Sequence, residues 1–200
     1  DYAQAAYWYA KAAEQGHAES QYWLAILYHN GNGVEKDYSQ ATYWYAKAAE
    51  QGHAESQYWL GVCYYYGNGV EQSYTTAAEW FEAAGEQGHV EAQYQLGNCY
   101  RNGYLGPVAS YGGMEIWYEK AAEQGHAEAQ YMMGWLRETG LAMGYDKGPI
   151  ITERVDCEEA LAWYTKAAEQ GYAGAMRAIG NLYYDGRGVE LDYRQAFAWY

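Results

Sequence analysis

The residues of this chain best placed to do chemistry are its five histidines and three cysteines. Four of the histidines, His17, His53, His89 and His126, stand in one recurring phrase, "EQGHAE" or "EQGHVE". Zinc needs ligand nitrogens about 2.0–2.1 Å from a single centre. Histidines that recur once per structural repeat lie roughly 8–10 Å from their neighbours, the distance set by helix packing. That arrangement predicts capping or packing rather than a metal site, and Tyr172 at the fifth such position fits the same reading. The cysteines contain no Cys-x-x-Cys pair. Cys63 and Cys99 occupy equivalent repeat positions, too far apart for a relaxed disulfide, and read as small buried hydrophobes. Cys157 reads as a structural replacement for Tyr. The compartment stays open.

Other candidate chemistry also resolves into structure. The "GNG" stretches at Gly31–Gly33 and Gly67–Gly69 and the "GRG" at Gly186–Gly188 follow no strand pattern and lead to no Lys-Ser or Lys-Thr. They predict tight turns rather than phosphate loops. There is no His-Glu-x-x-His and no Gly-x-Ser-x-Gly, and Glu128 after His126 lacks a second histidine. Glu158 and Glu159 are neighbours on a helical pattern and read as solvated. We therefore expect no catalytic residue, no metal and no cofactor.

The elements that position these residues come from repetition. "EQG" begins at Glu14, Glu50, Glu86, Glu123 and Glu169, at spacings of 36, 36, 37 and 46 residues. The units are 1–36, 37–72, 73–109, 110–155 with an extended turn, 156–191 and a partial 192–200. Each full unit reads as two helices. The first opens on Asp or Ser as N-cap and places Tyr38, Ala41, Tyr45, Ala48 and Ala49 at helical spacing, as in the second unit. The second carries Ala54, Gln57, Leu60, Gly61 and Tyr64 on one face, and a Gly-rich turn closes the unit. Gly61, Gly97, Gly134 and Gly180 let helices approach closely. A single such unit cannot bury its apolar face, but a stack can. The expected architecture is an all-α solenoid of αα-hairpins over residues 1–200. Because Trp199–Tyr200 stop within a helix, flanking sequence is expected.

"AAEQGHAEAQYMMGWL" and "AEQGHAESQYWLGVCYYYGNGV" resemble Sel1-like repeats, relatives of the tetratricopeptide repeat, over essentially the whole chain. The resemblance implies a right-handed superhelix that scaffolds protein complexes, in bacterial periplasmic or secreted proteins and in eukaryotic quality-control adaptors. It carries no shared catalytic residues. The departures are "GYLGPVASY" in the third turn and "GLAMGYDKGPIITERV" in the fourth. We expect Tyr104–Tyr111 and Leu141–Val155 to pair into a platform.

The partner is constrained by charge and by aromatic content. A net charge of −14 disfavours nucleic acid and anionic membrane, while 26 Tyr and nine Trp suit a recognition surface. No run of about 20 apolar residues is present, and this stretch shows no signal peptide. Periplasmic, secreted and cytoplasmic locations all remain possible. As the tetratricopeptide kinship implies, the second helices would line a concave groove. Their inward positions are Tyr22, Ile26 and His29; Tyr58, Tyr65 and Tyr66; Tyr94, Asn98 and Arg101; Tyr131, Trp135 and Glu138; and Arg177, Asn181 and Tyr184. The expected function is non-catalytic binding of a protein or peptide with a basic face through this Tyr-rich acidic groove. Alternatives are an immunity-type inhibitor of one toxin or enzyme, a glycan-binding module and a passive spacer. The same rings also suit a second task, packing between adjacent helices.

Overall fold

The computed structural model describes residues 1–105, 110–144, 148–151 and 155–200. The chain forms two compact units, Asp1–Gln95 and Leu96–Tyr200, divided within one helix. The first contains α1 (Tyr2–Ala13), α2 (Ala18–Asn30), α3 (Tyr38–Ala49), α4 (Ala54–Tyr66), α5 (Tyr74–Glu86) and the start of α6 (Val90–Arg101). The second contains the rest of α6, α7 (Ser110–Glu123), α8 (Ala127–Thr139), α9 (Cys157–Glu169), α10 (Ala173–Asp185) and α11 (Tyr193–Trp199). It also holds a short antiparallel hairpin, β1 (Leu141–Gly144) and β2 (Gly148–Ile151).

Local sequence explains where the helices start and stop. Asp1, Asp37, Ser73, Asp156 and Asp192 each accept a hydrogen bond from a first-turn N–H, which satisfies one of the helix's orphan donors. Second helices α2, α4, α8 and α10 end at Gly31, Gly67, Gly140 and Gly186, all left-handed. The closing turns of the first, second and fifth units then fold back on their own unit. A Cβ at Gly33 would lie 2.3 Å from the Tyr2 carbonyl carbon, and one at Gly69 would lie 2.3 Å from the Tyr38 carbonyl oxygen. Only glycine permits that contact, quite apart from its positive φ.

Successive helix pairs dock ring against glycine. Phe81, Tyr118 and Tyr164 are fully buried, and a Cβ on Gly61, Gly97 or Gly134 would stand 2.6–2.7 Å from their ring atoms. The chain is re-anchored at the first, second, fourth and fifth turns by one backbone bond: the N–H groups of Asp37, Ser73, Asp156 and Asp192 donate to the carbonyls of Tyr28, Tyr64, Arg137 and Tyr183 at 2.9–3.0 Å. The fourth unit keeps this bond although its turn is ten residues longer. The longer turn therefore begins and ends at the same anchoring point as the short ones.

The β-hairpin lies inside that excursion, with β1 against α7 and α8. Among the described residues it is the one element outside the all-helical pattern that the repeats predict. Gly140 terminates α8, and β-branched Ile150 and Ile151 pair with Ala142 and Leu141. Of the expected platform, Gly106–Ala109, Tyr145–Lys147 and Thr152–Arg154 lie outside the described residues.

Candidate recognition surface

The recurring histidines are structural caps. The Nδ1 atoms of His17, His53, His89 and His126 accept the N–H groups of Ser20, Ser56, Ala92 and Ala129 at 3.1–3.2 Å. Accepting there puts the ring proton on Nε2. In His53 and His89 that atom reaches the carboxylates of Glu19 and Glu55 in the preceding repeat, both at 3.0 Å. The bond from His53 holds the Glu19 carboxyl below its usual range. Each histidine thus caps its own helix, and His53 and His89 also fasten theirs to the one before.

A second ladder is made of glutamines, which the sequence reading left unassigned. Buried Gln21, Gln57, Gln93 and Gln130 donate from Nε2 to the last-turn carbonyls of Ala13, Ala49, Gly85 and Ala122 at 2.9–3.2 Å. The Oε1 atoms of Gln21, Gln57 and Gln130 accept from the "EQG" glutamines Gln51, Gln87 and Gln170 of the next repeat at 2.7–2.8 Å. The signal was available in the sequence, because both glutamines recur at fixed positions.

The predicted tyrosine row lies between repeats. Tyr22 is half-buried, its ring centroid 5.1 Å from that of His53 and 6.2 Å from that of Tyr45. Tyr58 stacks on His89 at 4.6 Å and meets Phe81 at 5.9 Å. Tyr131 packs on Tyr164 and Tyr172 at 5.5 and 5.2 Å. Tyr94 is half-buried at the equivalent position. Burial, followed by the nearby Glu55 charge, pushes the Tyr22 phenol up to about 12.

The variable positions divide in two. Several are engaged by the next helix pair. Ile26 packs beside Tyr45, and His29 is surrounded by Tyr38, Tyr45 and Trp59 at 5.1–6.4 Å. Tyr65 meets Tyr74 and Phe81, and Trp135 packs on the cluster around Tyr164. Three others accept a hydroxyl from the following repeat: Asn98 from Tyr118 at 2.7 Å, Glu138 from Tyr164 at 2.6 Å and Asn181 from Tyr200 at 2.7 Å. Glu138 also pairs with Arg187 at 2.8 Å.

The remaining positions face solvent. Tyr66 is 66% exposed and Tyr184 55% exposed. Arg101 and Arg177 are exposed as well. Arg101 touches the Met132 sulfur at 3.5 Å and makes no ion pair among the described residues. By contrast, Arg137 is held by Glu115 and Glu159 at 2.6 and 2.9 Å.

Among the described residues, no three His, Cys, Asp or Glu side chains converge on a point that could hold a metal. No described helix is long and apolar enough to cross a membrane. Cys63 and Cys99 are buried free thiols, and burial pushes Cys99 up to about 12, so neither is an available nucleophile.

Helix pairs joined repeatedly by the same cap, carbonyl clamp and ring-on-glycine contact define a helical-hairpin repeat protein. The family model of the Sel1 repeat matches residues 1–17, 18–53, 54–89, 90–111, 115–126, 127–172 and 173–200, and the chain belongs to that family. A Sel1 repeat protein from Oxalobacter formigenes is similar, with 30% identity and a TM-score of 0.80 over 92% of this chain and 69% of its own. A protective antigen of uropathogenic Escherichia coli with an SLR fold is 31% identical, with a TM-score of 0.69. It aligns over all of this chain, which spans 48% of its length. An immunity protein from Pseudomonas aeruginosa, 24% identical with a TM-score of 0.51 over 91% of this chain and 63% of its own, shares the fold. A search of curated proteins finds no match.

Proposed function

We propose that this protein is a non-catalytic scaffold that binds a protein or peptide through second-helix side chains its own joints leave unused. The observation that carries this reading is the exposure of Tyr66, Arg101 and Arg177 on helices whose other variable positions, Tyr184 against Tyr193 among them, are largely engaged by the next repeat. Aromatic rings and Arg are the residue types that concentrate binding energy at interfaces. The fold does not need them: equivalent positions hold different residues in other repeats, whereas the joint residues recur. Membership of a repeat family whose members commonly scaffold protein complexes supports the same reading. The net charge of −14 favours a partner with a basic face, with association slowed by salt.

Capture from source lysate tests this, using the wild-type chain beside Tyr66→Ala and Arg101→Ala variants of unchanged helicity. A protein retained by the wild type and lost by either variant is the expected result. Equal retention by all three chains would move recognition to the extended turns or the first helices and overturn the assignment to these residues.

A further inference from the structure

The joints follow a matching rule that one of them breaks. A ring from the first helix of each repeat lies against a small residue of the preceding second helix, and whether that ring carries a hydroxyl determines what its neighbours must be. Tyr118 and Tyr200 lie over Gly97 and Gly180, each followed by an asparagine that accepts the hydroxyl, Asn98 and Asn181. Tyr164 lies over Gly134 and finds Glu138. At the α4–α5 joint the ring is Phe81, with no hydroxyl, beside Gly61 and Val62.

At the α2–α3 joint the ring is Tyr45, with Ala25 in place of glycine, Ile26 in place of asparagine, and His29 at the position where Glu138 accepts the Tyr164 hydroxyl. Tyr45 is fully buried. Its Oη and the neighbouring His29 Nδ1 are the two buried side-chain polar atoms without a hydrogen-bond partner among the described residues. The other links at this joint match those at α4–α5: Gln51 to Gln21 as Gln87 to Gln57, and His53 to Glu19 as His89 to Glu55. The two joints therefore share their polar links and differ in the unpartnered Tyr45 hydroxyl, in Ala25 for Gly61 and in His29 for Tyr65. A buried polar group without a partner loses its hydration and gains nothing in return.

We infer that the α2–α3 joint is built to open: the α1–α2 hairpin separates from α3 more readily than α3–α4 separates from α5. Proteins open in cooperative units whose stabilities differ, and here the weaker boundary is set by Tyr45 and Ile26. Opening uncovers two aromatic surfaces that the closed joint buries against each other, Tyr22 with His29 on α2 and Tyr45 with Trp59 on α3 and α4.

Native-state amide hydrogen exchange on the whole chain tests this. Tyr45→Phe removes the unpartnered hydroxyl as Phe81 does naturally, and should slow exchange through opening of α1–α2 about 10-fold, leaving α5 unchanged. Phe81→Tyr installs the same mismatch one joint further on and should speed exchange across α3–α4 by a similar factor. Ordinary end fraying would not respond to a hydroxyl buried on α3, so unchanged α1–α2 exchange in Tyr45→Phe would overturn the inference. Faster exchange in that variant would overturn it too, because it would show the hydroxyl to be bonded in solution.

Discussion

Helices α4 and α10 hold the same place in their repeats yet are secured by different chemistry. In α4, His53 caps the helix and Gln57 clamps the Ala49 carbonyl, while Glu55 receives His89 of the next repeat. In α10 the three corresponding residues are Tyr172, Gly174 and Met176. Tyr172 makes no side-chain capping bond and instead packs on Tyr131 at 5.2 Å. A Cβ at position 174 would meet the Tyr172 ring at 2.7 Å, so the exchange of histidine for tyrosine depends on the exchange of glutamate for glycine two residues later. The comparison shows that one backbone geometry tolerates either a polar clamp or an aromatic one, provided that neighbouring positions change together.

The comparison breaks most severely at the glycines beneath the rings. Gly61→Val drives a branched side chain into the fully buried Phe81 and should destabilise the protein by about 3 kcal/mol, read as a fall in urea midpoint. Gly180→Val faces Tyr200, which is 64% exposed and free to shift, and should cost less than about 1 kcal/mol. Next in size, Gln57→Met copies Met176 into α4. It strips the Ala49 carbonyl and Gln87 of their partner and should cost about 2 kcal/mol, whereas Met176→Gln in α10 should give no comparable gain. His53→Ala removes a cap and should cost about 1 kcal/mol. A double change of Tyr172→His with Gly174→Glu should remain folded, while Gly174→Glu alone should be the worse variant because Tyr172 still fills that space.

The smallest effect concerns pH. The Glu19 carboxyl is held below its ordinary 4.5 by the His53 hydrogen bond. Its contribution is complete above that value and disappears as pH falls through the lower folded-state pKa. Acid titration of stability should therefore show a steeper loss below about pH 4.5 in the wild type than in Glu19→Gln. Glycine at position 174 gives α10 no counterpart to this dependence.

Much of this arrangement was legible in the sequence because the chain repeats itself. The pitch, the Asp and Ser caps and the histidine turns all follow from positions that scarcely change between copies, and so does the close helix approach at Gly61, Gly97, Gly134 and Gly180, though not the ring that fills each place. Less legible was the meaning of the positions that do change. Asn98, Glu138 and Asn181 read as recognition residues, yet each also satisfies a tyrosine hydroxyl 19 to 26 residues later. Each is paired with a tyrosine of the next repeat, a long-range pairing that helical periodicity does not display. The β-hairpin was hidden for a different reason. It occurs once, so no second copy of the chain separates its pattern from that of an irregular turn.

The backbone bond from the Asp156 N–H to the Arg137 carbonyl gives the fold a fixed port for insertion. The two ends of the inserted segment meet at one point, so lengthening it costs only the slow logarithm of loop closure while the backbone bond there keeps the register of the repeats. New binding apparatus can be fitted or withdrawn there independently of the scaffold. Removing Ala142–Thr152 should accordingly leave helicity and thermal stability nearly unchanged, as circular dichroism would read. Adaptation in such an array need not redesign its joints; it can proceed by exchanging what hangs from its turns.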